Sequence, residues 1–323
     1  MYESFYGLGE RPFDLTPNPR FLLLTGKHRE ALSNLKYGLL SGRGLTVLVG
    51  EAGTGKTTLI RAAVAEFEAQ GAVIAYLNNP TLTRQEFCEF LTAAFSLHPA
   101  VASSKTRLLS ELAGKLQTSK ANNVLSGLVI DEAQAMPDEL LEEVRLLANI
   151  ETETQKLLPI VLAGQHELGD RLNKPSLRQL KQRVALRCQL GPLDSRETAE
   201  YIAGRIRVAG GNSVLVFTRQ AVDAIYQRSG GIPRLISVIC DNALISGFAA
   251  DRRPVSRDVV EEVCRDFDLT PRSNGAKAIA APPPVPAVPA PPTEHAGPAA
   301  GKDDGGVRSL FEHFTIRRRF SLF

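Results

Sequence analysis

The sequence has no tryptophan, two methionines and only four cysteines among its 323 residues. Cys88, Cys188, Cys240 and Cys264 are far apart in the chain, so no C-x-x-C pair exists and neither a zinc site nor a disulfide framework is expected. The five histidines are scattered and no H-E-x-x-H occurs, which excludes the common zinc-hydrolase signature. The opening Met1-Tyr2-Glu3-Ser4-Phe5 is not the basic-then-apolar start of a secretory signal. No uninterrupted apolar run approaches the roughly 18 residues that a membrane span needs. The expectation is a reduced, cytoplasmic protein.

An excess of one charge is also missing. Net charge is +3, and residues 307–323 carry all of it: Arg308, Arg317, Arg318 and Arg319 against Glu312. Residues 1–306 hold 34 basic and 34 acidic side chains. A neutral folded part gives no electrostatic support for nucleic-acid binding, and nucleic acid is not expected as a partner. Hydrophobic content of 43% and charged content of 23% fit a soluble globular chain long enough for two domains and a tail.

What the sequence does contain is Gly50-Glu51-Ala52-Gly53-Thr54-Gly55-Lys56-Thr57, which meets the pattern G-x-x-x-x-G-K-[ST] at every fixed position. Leu45-Thr46-Val47-Leu48-Val49 before it reads as a buried strand, and Thr58–Phe67 after it as a helix without Gly or Pro. Glycines let the backbone curl so that successive N–H groups face one anion, and a helix N-terminus adds partial positive charge. Gly50, Glu51, Ala52, Gly53, Thr54, Gly55, Lys56, Thr57 and Thr58 are therefore the expected ATP-binding residues. Lys56 reaches the β- and γ-phosphates, and the Thr57 hydroxyl is an expected Mg²⁺ ligand. An ordinary Gly-rich turn is the bland alternative, and it does not account for all fixed positions at once.

About seventy-five residues on, Val124–Ile130 is an apolar run ending in Asp131-Glu132-Ala133-Gln134. Beside a P-loop, adjacent carboxylates at a strand end form a Walker B arrangement. Asp131 is the second expected Mg²⁺ ligand, and Glu132 the group that orients and deprotonates the attacking water. The bland reading of Asp131 is a helix N-cap. Leu157–Ala163 is another buried strand ending in Gly164-Gln165, whose amide can bond the γ-phosphate or the water. Arg183 stands where a basic helix, Leu177–Gln182, gives way to a last strand. It is a solvated surface charge or an arginine finger for a neighbouring subunit, with Arg178 as the competing candidate.

Residues 1–25 hold three prolines and five aromatics, which argues for an extended segment packed over the core or part of an adenine pocket. Helices are expected near His28–Leu40, Arg84–Phe95, Thr106–Gln117 and Asp138–Glu151, with a strand at Ala72–Leu77. From Pro192 onward the pattern is helical, near Ser195–Val208, Thr218–Arg228, Arg234–Phe248 and Ser256–Phe267. In Gly230-Gly231-Ile232-Pro233-Arg234 an Arg opens a helix after a Pro-set turn. The expected division is 1–44, strap and helix; 45–191, nucleotide-binding α/β domain; 192–268, helical lid; 269–306, a disordered Pro/Ala/Gly linker; 307–323, a basic-aromatic peptide. Four of the chain's 14 phenylalanines lie in that last peptide, suggesting a docking segment or weak membrane-surface anchor, with an inert tail as the equal alternative.

The order of these motifs resembles an AAA+ ATPase. The opening Tyr2-Glu3-Ser4-Phe5-Tyr6-Gly7-Leu8, Pro12-Phe13 and Thr16-Pro17-Asn18-Pro19-Arg20-Phe21 are similar to the general secretion pathway protein A (ExeA-type) subfamily, which includes exosortase- and exopolysaccharide-associated ATPases. The resemblance covers about residues 1–268. It implies an α/β fold with a five-stranded parallel sheet in order 5-1-4-3-2, a small all-α lid and a homo-oligomer, as a ring or partial ring. It also implies Gln165 as sensor 1, Arg234 as sensor 2 on the phosphates, and Arg183 as the finger acting in trans. Longer members of the subfamily add a transmembrane helix and a peptidoglycan-binding region. Here residues beyond 268 read as linker and tail, so membrane coupling is expected through a secretion or envelope-assembly partner, or through the terminal peptide. A transposition-type DNA partner and a slow nucleotide switch are the competing functions.

Overall fold

The computed structural model describes residues 1–15, 19–21, 24–42 and 44–269, which fall in one compact unit. Thr16-Pro17-Asn18 of the opening signature, nearly all of the expected linker and the whole peptide 307–323 lie outside the described residues.

Five parallel strands form the central sheet: β1 (Leu45–Gly50), β2 (Val73–Leu77), β3 (Ser126–Ile130), β4 (Ile160–Gly164) and β5 (Val184–Leu190). Their spatial order is β2-β3-β4-β1-β5, the expected 5-1-4-3-2 read from the other edge. Leu45 of β1 pairs with Ile160 of β4 and Val184 of β5, and the register runs on to the carboxyl ends of the strands. Helices cover both faces, so the central strands β1, β3 and β4 are buried at every position, as their nearly unbroken apolar runs require.

Alternation along β1 divides the core. Leu45, Val47 and Val49 join Phe87 and Leu91 of α4 (Arg84–Ala94), Leu108, Leu112 and Leu116 of α5 (Lys105–Ala121), and Leu140, Leu141 and Val144 of α6 (Asp138–Leu147). Leu48 points the other way, into a cluster with Leu35 and Leu39 of α2 (Gly26–Leu40) and with Leu59, Ile60 and Phe67 of α3 (Lys56–Glu68). Two short helices precede β5: α7 (His166–Leu172), which the sequence reading missed, and α8 (Arg178–Lys181).

Some boundaries differ from expectation. α6 ends at Leu147 instead of running to Glu151, and Glu151 bridges back antiparallel to Lys156. β4 begins at Ile160 and not at Leu157, because Pro159 has no N–H for the ladder; its carbonyl still accepts from Leu128 at 3.0 Å.

After β5 the chain is helical: α9 (Ser195–Val208), α10 (Ser213–Val216), α11 (Arg219–Ser229), α12 (Pro233–Ala249) and α13 (Arg257–Asp266). Asp194 caps α9 with a reciprocal Glu197 box. These helices bury their own core, including Ile206, Ala224, Ile225, Ile239, Cys240, Leu244 and Val260.

The N-terminal segment departs from expectation. Its first residues are not extended but form the short helix α1 (Tyr2–Tyr6), closed by Gly7 at φ 70°. The prolines begin only at Pro12, so nothing forbids a helical turn before them. Tyr2, Tyr6, Leu8, Phe13 and Phe21 pack into the helical core after β5 rather than over the sheet. The Tyr6 hydroxyl donates to Arg252 O at 3.0 Å, and Tyr2 donates to Asp241.

Candidate active site

The carboxyl ends of β1, β3 and β4 lie side by side, and the loops leaving them converge on one cleft of about 470 Å³. Residues 52–58 of the glycine loop line it, together with Glu132, Gln165, Arg234 and Arg205. Gly53 and Gly55 adopt φ of +81° and +98°, in the left-handed region where a side chain is strained. α3 starts at Lys56, so its first amides open toward the cleft.

Lys56 is 4% exposed, and its ammonium donates to Gly50 O at 2.9 Å and Glu51 O at 3.0 Å. Burial lowers its pKa, and the nearby carboxylates of Glu132 and Asp131 oppose that shift. Asp131 is 2% exposed. Its Oδ2 accepts from Thr57 Oγ1 at 2.6 Å and from the Tyr76 hydroxyl at 3.3 Å, and its Oδ1 from the Glu132 amide at 2.9 Å. Three donors on one buried carboxylate hold it rigidly beside Thr57. Burial, then the adjacent Asp131 charge, raises the Tyr76 pKa.

Glu132 sits at φ 50°, ψ 35°, a left-handed conformation that costs a non-glycine residue about 1–2 kcal/mol. Its Oε2 accepts from Gln134 Nε2 at 2.5 Å, and Gln165 Nε2 lies 3.4 Å away. Gln134 Oε1 in turn accepts from the Gln165 amide at 3.0 Å. The Arg171 guanidinium donates to Gln134 O and Met136 O, both at 2.6 Å, and pairs with Asp138, pinning the turn after β3 to α7. Strain at Glu132 thus has a compensating bond network, the pattern of a carboxylate held in a chosen direction.

Arg234, at the start of α12, is exposed and lines the cleft, and its amide donates to Gly53 O at 3.2 Å. The helical part therefore touches the glycine loop directly. Phe21 and Leu15 of the N-terminal segment also line the cleft. Arg205 of α9 ties that segment down: it donates to Pro12 O and to Asp14 O, and its guanidinium lies 5.2 Å from the Phe21 ring centroid. The segment is both a strap on the helical core and a wall of the cleft.

Arg183 is not brought to this cleft. Its carbonyl accepts from Leu45, the first residue of β1, whereas the glycine loop leaves the last, Gly50. At about 3.3 Å per residue that is most of a strand length away. Arg178 is likewise exposed and absent from the cleft lining.

Five contributors had no role in the sequence reading: Tyr76, Gln134, Arg171, Arg205 and His28, which also lines the cleft. Gln134 could have been suspected from its place two residues after Glu132. Arg171, Tyr76 and His28 carry no local signature, because only folding brings them to the loops they hold.

A parallel sheet in this order, a glycine loop opening a helix, paired carboxylates on the strand two places away and a helical bundle touching the loop together define an AAA+ P-loop module. Residues 39–172 match the family model described as AAA domain. Solved structures of similar fold include the Aeropyrum pernix ORC2 protein in ADPNP-ADP complexes (TM-score 0.58, 20% identity, 80% of this chain and 71% of that one). Another is Cdc6p from Pyrobaculum aerophilum (TM-score 0.60, 15% identity, 79% and 70%). In sequence, the chain is 42% identical over 250 residues to general secretion pathway protein A of Aeromonas hydrophila, covering 77% of this chain and 45% of that protein. Residues 39–172 thus carry an AAA domain, and over most of its length the chain is similar to general secretion pathway protein A. It spans less than half the length of that curated relative. Among the described residues no helix is long and apolar enough to cross a membrane.

Proposed function

We propose that this chain binds ATP with Mg²⁺ in the cleft and hydrolyses it, and that turnover energises secretion or the assembly of envelope or exopolysaccharide material. The observation that carries the reading is the Thr57–Asp131 contact of 2.6 Å, with Thr57, Lys56 and Glu132 all lining the one cleft. Two oxygen donors so placed suit a hard divalent cation. The glycine loop suits the phosphates, because Gly53 and Gly55 take the left-handed φ values that let the backbone curl around an anion. Bound Mg²⁺ supplies positive charge to the phosphate oxygens.

In this reading residues 45–191 are the nucleotide-binding domain and 192–268 the lid. Residues 50–58 cradle the phosphates, and Lys56 neutralises their charge. Glu132 orients a water molecule and takes its proton. Gln165, bonded toward Glu132, steadies that carboxylate and the water. Arg234 reaches the phosphates from the lid. Arg183, or Arg178 beside it, is the finger supplied to a neighbouring copy in a ring or partial ring. Exposure of both, away from their own cleft, supports that assignment. The AAA+ protein would work in the cytoplasm, peripheral to the inner face of the membrane, with the 307–323 peptide docking a secretion or envelope-assembly partner.

Glu132→Gln tests the chemistry. The variant should bind ATP within about twofold of wild type while phosphate release falls at least ~100-fold. Unchanged turnover would overturn the assignment of Glu132.

A further inference from the structure

His28 lies in the third position of α2, just behind the glycine loop, and is 5% exposed. Its Nε2 is 3.2 Å from Thr54 O and its Nδ1 is 2.8 Å from Thr25 Oγ1. A carbonyl oxygen only accepts, so Nε2 carries the hydrogen. In the neutral ring Nδ1 is then the acceptor, and the Thr25 hydroxyl donates to it. Burial lowers the His28 pKa, in keeping with a neutral ring.

Thr54 O belongs to the peptide whose other side is the Gly55 N–H. In a planar trans peptide the two point in opposite directions. Fixing Thr54 O on His28 therefore fixes where the Gly55 N–H points. No backbone acceptor takes that N–H among the described residues. The neighbouring carbonyl, Gly53 O, is held by the Arg234 amide at 3.2 Å. Two successive carbonyls at the turn into α3 are thus tied outward, one by α2 and one by the helical part. This is what a loop needs if its amides are to face a phosphate.

We propose that His28 is a positioning residue for the phosphate cradle: it orients the Thr54–Gly55 peptide for nucleotide binding without touching the nucleotide's reacting atoms. The inference rests on the nucleotide-binding reading above. It predicts that a side chain of similar reach that donates from the same place can replace the imidazole, while one of similar bulk without a donor cannot.

The test is titration of the full-length protein with a fluorescent ADP analogue, for wild type, His28→Gln, His28→Met and Lys56→Ala, alongside thermal melts without nucleotide. Glutamine keeps an N–H donor at about the reach of Nε2; methionine fills the space and leaves Thr54 O unpaired. His28→Met should weaken ADP binding about tenfold, the loss of one well-placed hydrogen bond, and His28→Gln should bind within about twofold of wild type. Equal losses in the two variants, or a His28→Met variant that binds normally, would overturn the proposal. If nucleotide-free melts fall together with binding in both variants, the imidazole is a packing element and the proposal is wrong. Lys56→Ala separates the two levels: if it binds as tightly as wild type, the nucleotide reading itself fails, independently of His28.

Discussion

Gly231→Ala is a sharp test of how the helical part is joined to the sheet. Gly231 has φ +76°, and a Cβ built there would lie 1.9 Å from Leu193 O and 2.9 Å from Leu193 C. The clash is backbone on backbone, so no side chain can swing aside. The same pair is linked by the bond from the Leu193 amide to Gly231 O, 2.8 Å long. Relief means separating the two connecting segments at this junction by more than 1 Å, which breaks that bond. The sum is about 1–2 kcal/mol of left-handed strain, about 1 for the hydrogen bond and about 1–3 for overpacking, or roughly 3–6 kcal/mol. For a chain of this size each kcal/mol moves Tm by about 2–4 °C, so the melt should fall by roughly 6–24 °C. Gly71→Ala is the internal control: φ is +85°, but nothing lies within 4 Å of its Cβ, so only the strain remains. Melting by circular dichroism, both variants side by side, reads the difference. If the two melts agree within about 3 °C, the close approach at Leu193 is not the constraint described here. Because Arg234 follows three residues later and holds Gly53, the Gly231 variant should also bind nucleotide more weakly than the Gly71 variant.

Three further outcomes follow from the same contacts. Phe13→Ala should cost about 3–5 kcal/mol in urea unfolding, because Phe13 is fully buried in the helical core, 6.2 Å from the Phe217 ring; a cost below about 1 kcal/mol would mean that the strap is dispensable. Gln134→Ala should lower phosphate release about tenfold, with nucleotide affinity nearly unchanged, since Gln134 holds Glu132 and not the phosphates; a loss confined to affinity would refute this. Burial holds the His28 pKa below its usual 6.5, so the unfolded chain binds the proton more readily. That contribution to stability is complete above about pH 6.5 and is lost as the pH falls from there through the folded value; His28→Gln should flatten the acid-side decline in stability, and an unchanged slope would count against it.

Local chemistry made much of this protein legible without a structure. The glycine loop needs its residue types at fixed spacing, so residues 50–58 stand out as the candidate phosphate cradle, and a carboxylate pair ending an apolar strand marks Asp131 and Glu132 as candidates in the same way. The strand order followed from the resemblance those motifs carry. Alternation and helical spacing placed most elements, because burying one face imposes a period on the sequence. Contacts between distant segments leave no such period. Tyr76 reaches Asp131 across neighbouring strands, and Arg171 fastens the turn behind Glu132 from a helix that sequence reading missed. His28 reaches Thr54 from 26 residues away. The N-terminal aromatics could only be read as packing on something; that they enter the helical core rather than the sheet was decided when the chain folded α1 against α12, well over two hundred residues further on. Residue type determines what a side chain can bond, but only the tertiary fold decides which partner comes within reach.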